Sequence, residues 1–259
     1  MILHFSQLGQ GPDVIVIHGL FGSSDNLQAL ARSLSAQFRV TSVDVRNHGR
    51  SPRASDMDYP SLANDVLETM DSLGIQHAAV FGHSMGGKIA MQIALLAPTR
   101  VRCLVLADIS PVQNQDRHTH IFERLCAIDT GALQNRQQAD AQLAIAIEDA
   151  GTRAFLLKSL QRNLEGKFDW QFNVKVLAAQ YHQILAAPTL HAPFIGPVLF
   201  IKGGNSDYIQ ASQQPQVLQY FPNAKLKIIA GTGHWLHAEK PAIFNKICLD
   251  FLIAETNGI

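Results

Sequence analysis

The first arrangement in the chain that could do chemistry is a serine with a glycine two residues away on each side, Gly82-His83-Ser84-Met85-Gly86. The short apolar run Ala78 to Phe81 precedes it, and Lys88 to Ala97 has the length and composition of a helix. The serine is therefore expected at a strand-to-helix turn, where flanking glycines let backbones crowd and the central residue is held strained. Its hydroxyl would sit at a helix N-terminus, where free N–H groups and the helix dipole favour negative charge. A serine hydroxyl is a poor nucleophile at neutral pH unless a neutral imidazole takes its proton and a carboxylate fixes that imidazole's tautomer. His234, in "AGTGHWLHAEKP", is the candidate base: Gly231 and Gly233 allow a sharp turn before it, and Pro241 begins a helix after it. His237 is expected outside the site, and His83 and His18 are expected to be structural, His18 by bonding backbone. Asp108 and Asp207 each follow a strand-like run, and either could be the acid. An oxyanion hole would take one backbone N–H from Met85 and one from Leu20 in "HGLFGS". The spacings G-x-x-x-x-G-K-[ST] and G-x-G-x-x-G are missing, so this is not a phosphate loop.

These residues need a scaffold. Strand-like runs recur at 14–19, 39–45, 78–82, 100–108, 196–204 and 224–231, most of them continuously apolar as in strands covered on both faces. Helix-length segments lie between them at 26–37, 60–73, 87–97, 213–220 and 241–253. The alternation predicts an α/β fold with a doubly wound, mostly parallel sheet. In such a sheet the ligand crevice lies at the carboxyl ends of the strands, where His18, Asp44, Ser84, Asp108, Asp207 and His234 all fall. From Pro111 to Pro193 the pattern breaks, and the residues read as three or four helices, including "RHTHIFERLCAI", "RQQADAQLAIAIEDA" and "VKVLAAQYHQIL". We expect a core of residues 1–110 and 194–259 with residues 111–193 inserted as a helical cap.

The 259 residues can bury a large core, and 21 basic side chains balance 21 acidic ones, so no net field recruits nucleic acid or an anionic membrane. A small-molecule substrate is the natural partner. Cys103, Cys126 and Cys248 are widely spaced and odd in number, which argues against a disulfide framework or a CxxC metal site, and they read as buried thiols. The opening "MILHFSQLGQGPDVIVIHG" has no basic segment leading into a long apolar core, and no run reaches membrane-spanning length, so a cytoplasmic location is expected.

Together "HGLFGSSDN", "DVRNHGRS", "GHSMGGKIAM", "ADISPV", "GGNSDYI" and "AGTGHWLHAEKP" resemble the α/β-hydrolase superfamily, and in particular its small bacterial esterases of the YbfF type. The likeness runs from residue 10 to residue 254. It implies a serine esterase or thioesterase acting on short to medium acyl esters, acyl-coenzyme A among them, with a helical cap and no cofactor. Most members place the acid after the penultimate core strand, here Asp207. The subgroup most resembled places it one strand earlier, which implies Asp108, with Asp207 as the alternative. Asp44, with Arg46 and Gly49, resembles a loop-holding turn of this fold. Phe122, Phe155, Leu156, Trp170 and Phe172 of the cap, with Phe21 and Trp235, are expected to form an apolar acyl pocket; Phe21, Trp235, Phe122 and Trp170 are the named substrate contacts. A carbon–carbon lyase or hydrolase on the same scaffold would want converging arginines, and Arg117, Arg124, Arg136, Arg153 and Arg162 form no evident cluster. A non-catalytic ligand receptor is the remaining reading.

Overall fold

The structure, a computed structural model, describes residues 1–256. Its first half runs β1 (Phe5–Leu8), β2 (Asp13–Ile17), α1 (Gln28–Leu34), β3 (Arg39–Val43), α2 (Tyr59–Ser72), β4 (Ala78–His83), α3 (Met85–Leu96) and β5 (Val101–Ala107). An inserted stretch follows with α4 (Thr119–Ala127), α5 (Arg136–Leu143), α6 (Ala150–Lys158), β6 (Leu160–Arg162), β7 (Phe168–Trp170), α7 (Val174–Ala179) and α8 (Tyr181–Leu185). The chain then returns through β8 (Val198–Gly203), α9 (Gln214–Tyr220), β9 (Ala224–Ile229), α10 (Leu236–Glu239) and α11 (Pro241–Thr256).

Seven strands form one sheet in the order β1-β3-β2-β4-β5-β8-β9, parallel except for β1. Its strands alternate with period two. Val14, Val16, Phe81, Val105 and Ile201 face one apolar layer with α1 and α11, while Ile15, Ile17, Val80, Leu106 and Phe200 face the other with α2 and α3. Burial on both sides explains why the central strands are uninterrupted apolar runs. From β2 the chain moves outward to β3 and then returns to pair β4 on the other side of β2, so the strand order reverses between β2 and β4. The loops leaving those two strands therefore part and open a crevice.

Several local expectations are corrected. The antiparallel edge strand β1 was not anticipated, because "FSQL" is short, mostly exposed and carries no apolar alternation. The inserted stretch is not all helical, since β6 and β7 pair as an antiparallel hairpin. The segment 136–150 does not form one helix: α5 stops at Leu143 and α6 begins at Ala150, where the Asp149 side chain accepts the Thr152 N–H as an N-cap. Likewise the stretch 174–185 divides at Gln180 into α7 and α8. Cys126 is exposed, because α4 turns Ile121, Phe122 and Leu125 inward and leaves Cys126 on the outer face. Cys103 and Cys248 are buried as expected. No helix among the described residues is long and apolar enough to cross a membrane.

Two buried polar side chains on α3 tie the inserted stretch to the core. Gln92 exchanges hydrogen bonds with the backbone of Thr189, donating at 3.3 Å and accepting at 2.7 Å. Lys88 donates its ammonium to the carbonyls of Leu185 at 3.0 Å and Ala186 at 2.6 Å, satisfying the C-terminal end of α8. Burial, with no carboxylate among its hydrogen-bond partners, pushes the Lys88 pKa down to about 7 from the ordinary 10.5. Between those values the unfolded chain binds a proton that the folded chain does not, so this group makes stability rise with pH across that window. Denaturant unfolding at pH 7.0 and 8.0, where thiols of the unfolded chain stay mostly protonated, is expected to show a Lys88-dependent rise of up to about 1.4 kcal/mol per pH unit. The Lys88→Met protein should lack that increment, and an unchanged pH slope in the variant would refute the assignment.

Candidate active site

Ser84 stands between the end of β4 and the start of α3 with φ 54° and ψ −121°, a left-handed conformation that a non-glycine residue adopts only under constraint. The constraint is close backbone approach. A Cβ on Gly82 would lie 2.1 Å from the Gly86 carbonyl oxygen, and one on Gly86 would lie 2.4 Å from the carbonyl oxygens of Ile17 and His18. The first turn of α3 thus lies directly against the ends of β4 and β2, and Ser84 projects over the crevice.

His234, on the loop after β9, accepts the Ser84 hydroxyl at Nε2 (3.0 Å) and donates Nδ1–H to Asp108 Oδ2 (2.8 Å). Asp108, fully buried after β5, also has a left-handed φ of 49°. Its Oδ1 accepts the Gly203 N–H at 2.9 Å, and Oδ2 accepts the Ser206 hydroxyl as well. With three donors besides solvent-free burial, the carboxylate is satisfied in place and holds the imidazole so that Nε2 is free to accept a proton. Asp207 does not reach His234. Its carboxylate faces away and takes both guanidinium nitrogens of Arg117 at 2.8 Å, and this bond to Arg117 holds its carboxyl below the usual range.

Three other histidines set the loops around this chain of bonds. His18 accepts the Val45 N–H at Nε2 (3.0 Å) and donates Nδ1–H to Gly19 (2.8 Å). His48 accepts the Phe21 N–H at 3.2 Å and donates to the Arg46 carbonyl at 3.0 Å, which pins Phe21 at φ 64°. His83 donates Nε2–H to the His234 carbonyl at 2.9 Å, anchoring the backbone of the loop that carries the imidazole. Burial lowers the pKa of all three, that of His48 to about 3, so they are neutral struts at neutral pH. Asp44 holds the neighbouring loops through the N–H groups of Ser24 (2.7 Å) and Arg50 (3.0 Å), and Gly49 leaves it room.

Ser84 opens on a cavity of about 490 Å³, within the range of small-molecule sites, walled by Phe21, Ile121, Ile147, Phe155, Leu156 and Trp235. A smaller recess beside it is lined by Leu20 and Met85, and Ser84, His118 and Tyr208 stand at the junction of the two. Two expected contacts are corrected. Phe122 lies behind Phe21, with rings 4.9 Å apart, and packs on Tyr181, so it supports the wall without lining it. Trp170 stacks on Phe172 at 5.5 Å, and both border a separate recess with Arg53 and Lys175. Ser206, Tyr208 and His118 carry no mark in the sequence, and Arg117 stands there only as one of five scattered arginines. Ser206 and Tyr208 flank Asp207 in "GGNSDYI", where the acid alone drew notice. Among the described residues no group of three or more His, Cys, Asp or Glu could hold a metal ion.

The α/β hydrolase fold profile matches residues 12–241. The chain is 44% identical to Esterase YbfF of Escherichia coli K12 over 229 residues, covering 88% of each protein. It is 37% identical to the sn-1-specific diacylglycerol lipase ABHD11 of Mus musculus over 250 residues, covering 93% of this chain and 81% of that one. Among solved structures, a marine microorganism esterase superposes with a TM-score of 0.94 at 38% identity, covering 97% of this chain and 99% of that chain.

The backbone crossing at Gly86 gives a direct test. Gly86→Ala places a methyl against two backbone carbonyls that cannot turn aside. Chemical denaturation should show a loss of at least about 2 kcal/mol, as for severe overpacking. Parent-like stability would show that the crossing is looser than described.

Proposed function

The chain belongs to the α/β-hydrolase fold family, and from that premise we propose that it is a serine carboxylic-ester hydrolase using Ser84 as nucleophile, His234 as base and Asp108 as orienting acid. Its substrates are short to medium acyl esters or acyl-thioesters, acyl-coenzyme A among them. The observation that carries the reading is the continuous set of hydrogen bonds from Asp108 through His234 to Ser84 at the mouth of a cavity that has Phe21, Phe155, Leu156 and Trp235 in its wall.

In this mechanism Ser84 Oγ attacks the acyl carbon while His234 Nε2 takes the hydroxyl proton, and Asp108 stabilises the resulting imidazolium. The negative oxygen of the tetrahedral intermediate is held by the N–H groups of Leu20 and Met85, residues that line the same recess beside Ser84. Collapse breaks the bond to the leaving oxygen or sulfur, which receives the proton from His234, and leaves an ester on Ser84. Water, deprotonated by the same imidazole, then releases the carboxylic acid and restores the serine. The esterase and lipase relatives support an ester as the substrate. A substrate with several carboxylates is disfavoured: of the five arginines in the inserted stretch only Arg117 lines the cavity, and Asp207 already occupies its guanidinium.

Ser84→Ala and His234→Ala should each lower kcat by a factor on the order of 10⁵ to 10⁶ on p-nitrophenyl esters, because such residues act as a unit. Asp108→Asn should cost about 10³ to 10⁴ and Asp207→Asn less than about tenfold; the opposite order would move the acid to Asp207.

A chain-length series tests the cavity. Each methylene transferred into it contributes at most ~0.8 kcal/mol, so kcat/KM should rise up to roughly fourfold per carbon from acetyl and break where the cavity ends. A flat series from acetyl to hexanoyl would place the acyl chain in solvent.

A further inference from the structure

His234 is fixed by hydrogen bonds at both ring nitrogens, to Asp108 and to Ser84. Two such bonds restrain the positions of Nδ1 and Nε2 but leave a soft motion, a rocking of the ring about the line that joins them. Rocking tilts the Nε2 lone pair out of line with the Ser84 hydroxyl. Something must hold a face of the ring. His83 and Trp235 approach at 4.8 and 5.7 Å, tilted by 40° and 69°, and neither covers it. Tyr208 does: its ring lies 3.8 Å from the imidazole centroid at an interplanar angle of 16°.

The tyrosine is itself clamped. His234 fills one of its faces, so the Arg117 guanidinium, 4.6 Å from the ring centroid, occupies the other. Asp207 holds that guanidinium by two bonds of 2.8 Å. The Tyr208 backbone is tied down as well: its N–H donates to Ser206 Oγ at 3.3 Å and its carbonyl accepts Ser110 Oγ at 3.2 Å. Arg117 comes from the inserted stretch, whereas Asp207 and Tyr208 come from the loop after β8, so the pile closes only when the stretch is seated on the core.

We propose that Tyr208 is a positioning residue for His234, and that Arg117, held by Asp207, loads the tyrosine ring against the imidazole. The proposal rests on the assignment of His234 as the base for Ser84. It gives Asp207 a role two steps removed from chemistry, as the anchor of Arg117. The tyrosine hydroxyl has no part in it, since the stack uses the ring alone.

The test compares Tyr208→Leu, Tyr208→Phe, Arg117→Gln, Asp207→Asn and Ser84→Ala by steady-state kinetics on a p-nitrophenyl ester, with thermal melts on each protein. Tyr208→Leu should lower kcat on the order of 10- to 100-fold with KM changed less than about threefold, as for slight misplacement of a reacting group. Tyr208→Phe, which keeps the ring, should stay within about threefold of the parent. Arg117→Gln and Asp207→Asn should lose kcat by similar factors of about three to ten. A parent-like kcat in Tyr208→Leu overturns the proposal, as does an equal loss in Tyr208→Phe or an effect confined to KM. If Tyr208→Leu does not fold, the Arg117 and Asp207 variants decide: parent-like kcat in both overturns the proposal. Loss of turnover in Ser84→Ala with no effect at Tyr208 sinks the stack alone, whereas full turnover in Ser84→Ala sinks the underlying assignment and the stack with it.

Discussion

The rest of the structure depends on one steric constraint, the contact of the first turn of α3 with the carboxyl ends of β2 and β4. Atoms of Gly86 lie so near the Ile17 and His18 carbonyls that no side chain fits between them, and Gly82 meets Gly86 in the same way. The left-handed geometry of Ser84 follows, because the chain must reverse from strand to helix within one residue. So does the complete burial of α3 from Met85 to Leu95, whose polar side chains Lys88 and Gln92 hydrogen-bond to the backbone of the inserted stretch. A local turn requirement is thereby passed to the placement of residues some hundred positions away.

Around that crossing, neutral histidines bridge backbone groups of separate loops in a closed interior. A neutral imidazole offers one donor and one acceptor on opposite sides of a rigid ring, so it can splice two backbone groups from different loops. His18 joins Gly19 to Val45, and His48 joins Phe21 to Arg46. A charged imidazole would have no acceptor to offer, and burial disfavours the proton in both cases. Lysine or glutamine could not substitute, since neither combines that rigidity with a donor and an acceptor.

The sheet was legible in the sequence because strands buried on both faces must be apolar throughout, and glycines mark the ends of several of them. Ser84 stood out through the spacing of its glycines, and His234 through the turn residues before it. Whether Asp108 or Asp207 faces His234 could not be read from residue order, since both follow strands and both are short acids. What separates them is three-dimensional: the left-handed φ at Asp108, the Gly203 N–H and Ser206 hydroxyl aimed at it, and a guanidinium that draws Asp207 away. The inserted stretch is the part least legible in the sequence. Its expected helices break at Asp149, a side-chain N-cap, and at Gln180, and its hairpin strands of three residues each are too short for any periodicity to show. Trp170 and Phe122 give way to Ile121 and Ile147 as wall residues, whereas Phe155 and Leu156 line the cavity.

The apolar residues of the inserted stretch do not form a core of their own. Leu125, Leu143, Leu156, Phe172 and Leu177 belong to one cluster that continues without a gap through Phe21 and Met85 to Ile17 and Leu106 on the sheet. Lifting the whole stretch as a rigid flap would expose much of that cluster to water, and the cost grows with the apolar area uncovered. By the same reasoning the stretch and the sheet gain their order in a single transition, with amide protons in α5 and α7 guarded by global denaturation and not by a hinge.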